Sequence, residues 1–66
     1  MNIGENIKLA RKKAKVTQVE MAEKLGVYQK DISRWENGEY TPSLETFAEI
    51  CKILNASADD LLELNK

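Results

Sequence analysis

Gln29, Lys30 and Arg34 fall within one short stretch, QKDISRW, and their side chains can read nucleic-acid bases. Glutamine bonds an adenine edge through a paired donor and acceptor, and arginine or lysine donates to guanine. All three lie on the outward face of a helix whose inward side carries Ile32 and Trp35. Taken alone, such a face is a solvated helix surface, so the nucleic-acid reading needs support from the flanking sequence. Asp31, between them, is either an outward residue averse to phosphate or a recogniser of cytosine's amino group.

Other chemistries are poorly supplied. The chain holds no histidine, the commonest acid–base group and metal ligand near neutral pH. Its single Cys51 therefore has no histidine to activate it and reads as a small buried hydrophobe. Three glycines form no phosphate-cradling loop. Neither an enzyme nor a cofactor or metal protein is expected.

The charge balance first looks adverse to nucleic acid, with a net charge of −1 over 66 residues and a pI of about 5.4. The total conceals a dipolar chain. Residues 1–35 carry eight basic against four acidic side chains, and residues 36–66 carry two against seven. Screening cuts off distant charge within about 8–10 Å, so a local basic face can still meet phosphate. At 42% hydrophobic and 32% charged, the composition is that of a soluble globular domain. One domain over residues 1–66 is expected. No apolar run is long enough to span a membrane, and residues 1–10 hold no signal-peptide stretch, which makes the cytoplasm the expected location. A lone cysteine fits that reducing compartment.

Five helices account for the pattern, which makes the expected class all-α. The first runs from about Ile3 to Ala14, with Ile3, Ile7, Ala10 and Ala14 on one stripe. Its basic end, RKKAK, suits the negative end of the helix dipole and otherwise reads as a solvated helix end. Thr17-Gln-Val-Glu20 matches a capping box, and the second helix buries Met21, Ala22 and Leu25 before Gly26 stops it. The third covers about Gln29 to Asn37. Thr41-Pro42-Ser43 opens the fourth, with proline tolerated in a first turn, Thr or Ser able to cap it, and Leu44, Phe47, Ile50, Cys51 and Leu54 as its buried stripe. Ser57-Ala-Asp-Asp60 starts a short fifth helix, followed by Leu61, Leu62 and Leu64.

Within Gln18–Trp35 the spacing is specific: Ala22 four before Gly26, Ile32 six after it, and Trp35 three further on. Two closely crossing helices need a small residue at the contact, a left-handed turn between them and apolar residues facing inward. This resembles the helix-turn-helix of the Cro and phage-repressor (XRE-like) family. LARKKAKVTQ before it and WENGEYTPSLETFAEICKIL after it are similar to that family's flanks, so the resemblance covers nearly all of the chain.

The resemblance implies a compact five-helix domain that binds operator DNA, usually as a symmetric dimer, with the third helix in the major groove. It makes Gln18, Gln29, Lys30, Ser33 and Arg34 the base-facing set. It brings Thr17, Arg11 and Asn37 towards phosphates, and pairs Arg11 with Glu36 in an ion bridge between the first helix and the end of the third. Tyr40, in the loop beside Asn37-Gly38, is either surface filler or a phosphate contact. Trp35 reads as core, not as a base-stacking platform. Three departures stand out: Tyr28 where the family usually caps with Ser or Thr, and Lys15 and Asn55 where Gly is common.

The expected function is sequence-specific transcriptional regulation, as a repressor that occludes a promoter. The homodimer is expected through the C-terminal residues Leu62 and Leu64, with Leu54 nearby, which are the apolar residues left over once a core is filled. The alternative is a protein-interaction module or antitoxin, with Leu9, Val19 and Leu62 feeding its docking surface.

Overall fold

A computed structural model describes residues 2–63. Five helices occur among them: α1 (Ile3–Lys13), α2 (Gln18–Leu25), α3 (Gln29–Glu36), α4 (Leu44–Leu54) and α5 (Ala58–Leu61). α3 packs on α1 and α2, α4 on α2, and α5 on α1. The core joins Ile7, Met21, Ala22, Ile32, Phe47, Ile50, Cys51, Leu54 and Leu61, with Trp35 partly buried against it.

Four of the five helices begin with a capping side chain that accepts from an orphan backbone N–H. Asn2, Thr17, Ser43 and Ser57 accept from Glu5, Glu20, Thr46 and Asp60 respectively. Of the two capping candidates, Thr41 and Ser43, Ser43 is the cap of α4, which leaves Pro42 ahead of the helix and buried.

Three core assignments change. Leu44 is 83% exposed and leaves the α4 stripe, because it is the first residue of α4 and a first-turn side chain leans back past the helix end. On α1, Ala14 is exposed, while Gly4 and Arg11 join Ile7 as the buried face. The reason is the closeness of α3: a Cβ on Gly4 would lie 2.3 Å from the Trp35 carbonyl oxygen and 2.9 Å from that of Glu36. Finally, Leu62 packs partly buried against the core, so it is not left over from it. Leu64, the other residue assigned to the dimer contact, lies outside the described residues.

The left-handed positions follow the sequence. Gly26 ends α2 at φ +73°. Lys15 and Asn55, the residues standing where glycine is common, adopt φ of +60° and +52°. Asn6 Nδ2 donates to the Leu61 carbonyl at 2.9 Å, fastening α5 to α1. No helix among the described residues is long and apolar enough to cross a membrane.

Candidate nucleic-acid interface

Two helices and the turn at Gly26 set the candidate surface. The α2 capping box closes both ways: Thr17 Oγ1 accepts from Glu20 N–H at 3.0 Å, and Glu20 Oε1 accepts from Thr17 N–H at 2.9 Å. The Thr17 backbone N–H, then its hydroxyl, holds the Glu20 carboxyl below its ordinary range. α3 starts differently. Tyr28 supplies no side-chain cap; instead, Asp31 reaches back to accept from the Tyr28 N–H at 3.1 Å. Asp31 therefore has a local task, organising the first turn of α3, that neither of its sequence readings included. The signal was present: an acid three residues after a helix-preceding position is half of a capping box.

Beneath this surface lies a buried ion pair. Arg11 Nε donates to Glu36 Oε2 at 2.6 Å and Nη2 to Oε1 at 3.1 Å, while Nη1 donates to the Val16 carbonyl at 2.9 Å. Arg11 is 8% exposed and Glu36 7%. The guanidinium thus faces inward, and little of its surface is offered to a phosphate. The fork-on-carboxylate geometry is a strong form of this contact.

The pair extends outward through two glutamines. Gln18 Nε2 donates to Glu36 Oε1 at 3.0 Å, and Gln18 Oε1 accepts from Gln29 Nε2 at 3.3 Å. A continuous chain, Arg11–Glu36–Gln18–Gln29, therefore runs from the core to the exposed start of α3. Sequence reasoning named all four residues but did not find that they are one network, because their separations in the chain reach 25 residues.

Gln18, Gln29, Lys30, Ser33 and Arg34 border a single open depression, completed by Glu39. All five residues assigned to base contact are thus on one side of the molecule. Glu39 thus puts an acid on the rim of the basic and amide side chains. Among the residues assigned to phosphate, Thr17, Asn37 and Tyr40 are exposed. Asn37 follows α3, its N–H donating to the Ser33 carbonyl and its Nδ2 to Ser33 Oγ at 3.4 Å. Tyr40 has its ring against Arg34. Burial pushes the Cys51 thiol up from its ordinary value, which fits the small buried hydrophobe expected at that position. Among the described residues, no cluster of three or more His, Cys, Asp or Glu side chains is arranged for a metal ion.

A family profile described as "Helix-turn-helix" matches residues 7–61. The chain belongs to this helix-turn-helix family, of the Cro and phage-repressor (XRE-like) type, which is non-enzymatic. It is similar to the antitoxin PezA of Streptococcus pneumoniae, 39% identical over 97% of this chain and 40% of the relative. It also resembles an uncharacterized transcriptional regulator, YqaE of Bacillus subtilis, 41% identical over 89% of this chain and 51% of the relative. The chain spans about half the length of these relatives. Among solved structures, the P22 c2 repressor in complex with a synthetic operator superposes with a TM-score of 0.83. That match has 36% identity and covers 92% of each chain.

Proposed function

We propose that residues 1–66 form one DNA-binding unit of a transcriptional regulator, acting in the cytoplasm as a repressor. The observation that carries this proposal is the shared depression on which Gln18, Gln29, Lys30, Ser33 and Arg34 meet. Support comes from the similar P22 c2 repressor, whose solved complex holds operator DNA. In this reading, α3 enters the major groove, Gln29, Lys30, Ser33 and Arg34 meet base edges, and Gln18 reaches them from α2. Phosphate contacts from Thr17 and Asn37 position the domain and supply most of the sequence-independent affinity. Repression then needs no further chemistry, since a bound domain blocks a promoter by occupying it.

The operator is double-stranded DNA read by a homodimer. The described residues extend 31 × 23 × 20 Å, and one copy therefore covers less than a turn of duplex, about 34–36 Å. Two copies on inverted half-sites double the number of bases read. A second reading, with a protein as the principal partner, draws on the antitoxin among the relatives and on the exposed Leu9 and Val19. Electrophoretic titration at fixed salt, against random and pool-selected duplexes, separates the two. The DNA reading expects selected sites to bind at least a thousandfold more tightly than random DNA, the low end for specific regulators at roughly 10³–10⁷. Equal affinity for both would favour the protein partner.

A further inference from the structure

Two exposed tyrosines stand at the ends of α3, Tyr28 at 72% and Tyr40 at 61% exposure, and each covers a cation. Lys30 Nζ lies 5.5 Å from the Tyr28 ring centroid, and Arg34 Cζ lies 5.7 Å from that of Tyr40. Both distances are within the range of cation–π attraction.

The main chain holds the backbone of each tyrosine against the helix that carries its cation, which keeps each ring within reach of it. Tyr28 N–H donates to the Asp31 carboxylate at 3.1 Å, and Asp31 N–H donates to the Tyr28 carbonyl at 2.9 Å. At the other end, Glu39 and Tyr40 N–H groups donate to the Arg34 carbonyl at 2.9 and 3.5 Å. A ring face also holds a guanidinium or ammonium without using its N–H donors, which a carboxylate partner would occupy. The cation keeps its hydrogen-bonding capacity while losing part of its rotamer freedom before any ligand arrives. That reduces the ordering cost charged against binding.

We propose that Tyr28 and Tyr40 are positioning residues for the two cationic readers, and that Tyr40, through Arg34, sets base preference at the position Arg34 reaches. The proposal rests on the DNA reading above. The competing role for Tyr40 is a hydroxyl contact to phosphate. Phenylalanine tells the two apart, since it keeps the ring and loses the hydroxyl.

The test compares wild type, Tyr40→Phe and Tyr40→Leu in two measurements on the full chain. The first is the NMR shift of the Arg34 side-chain protons in the free protein. Wild type and Tyr40→Phe should show an upfield ring-current displacement that Tyr40→Leu lacks. The second is site selection from a random DNA pool. Tyr40→Leu should weaken discrimination at one base position by about two- to fivefold, with the salt dependence of binding unchanged and Tyr40→Phe like wild type. Tyr28→Leu should do the same at the base that Lys30 meets.

Wild-type discrimination in Tyr40→Leu, or no ring-current displacement in the free wild type, overturns the proposal. So does a Tyr40→Phe variant that loses affinity uniformly across sequences with a shallower salt slope, the signature of a phosphate contact. A wild type that selects no sequence overturns the DNA reading and the proposal together. The DNA-free shift distinguishes that outcome from failure of the aromatic contact alone.

Discussion

Glu36 accepts three hydrogen bonds in a nearly dry position, two from Arg11 and one from Gln18. Removing Arg11 leaves a buried carboxylate with only an amide for company, a loss on the order of 3–5 kcal/mol. Arg11→Ala should therefore melt well below wild type, and the double variant with Glu36→Ala should recover part of the loss. Additive effects in thermal melts of the two singles and the double would reject the coupling. The surface depression predicts a different phenotype. Gln29→Ala and Arg34→Ala remove groups at the surface depression and should keep wild-type helix content and non-specific affinity. Each should lose roughly 1–3 kcal/mol of discrimination at one base. Unchanged site preference in pool selection for both variants would remove them from the base-reading set.

At the scale of elements, the bundle depends on how α1 meets α3 and on how α2 begins. Gly4 lies where an added methyl would meet backbone oxygens of Trp35 and Glu36 that cannot rotate away. Gly4→Ala must push α1 off α3, at about 1–3 kcal/mol, an overpacking cost. A melt equal to wild type would mean that the two helices separate freely. The start of α2 gives a pH signature. Thr17 holds the Glu20 carboxyl below its ordinary range in the folded chain. The stabilisation is accordingly present above the unfolded carboxylate range and lost as pH falls through the lowered folded value. Thr17→Ala should cost about 1 kcal/mol near neutral pH as a lost cap. The Glu20→Gln deficit should shrink on acidification, and a deficit that grows instead would contradict the direction of the shift.

For the whole molecule, the open question is assembly. Leu62 packs against the core of its own chain, so Leu62→Glu is expected to lower stability as well as any dimer contact, and it is a poor separate probe. Operator symmetry is the cleaner measurement. A two-fold regulator should select an imperfect palindrome with half-site centres about 34–36 Å apart, and native mass spectrometry should find two chains per duplex. An asymmetric site bound by one chain would remove the dimer while leaving DNA recognition intact.

The amino-acid sequence by itself determined the five helices, the turn at Gly26 and the outward set on α3. Those are local matters, settled within a few residues by apolar periodicity, caps and the glycine turn; Lys15 and Asn55 were marked as glycine-like sites only by the family resemblance. It also named Arg11 and Glu36 as partners, though through family resemblance and not through any local rule. Only the tertiary structure decided which faces meet. Gly4 became a contact because α3 crosses α1 there, and Leu44, at the first position of α4, left the core and is 83% exposed. The same holds for the link from Glu36 through Gln18 to Gln29 and for the rings of Tyr28 and Tyr40 under two cations. Periodicity says that a side chain points in or out of its own helix. What it meets there depends on how separate helices cross, which is set by the packing of the whole core.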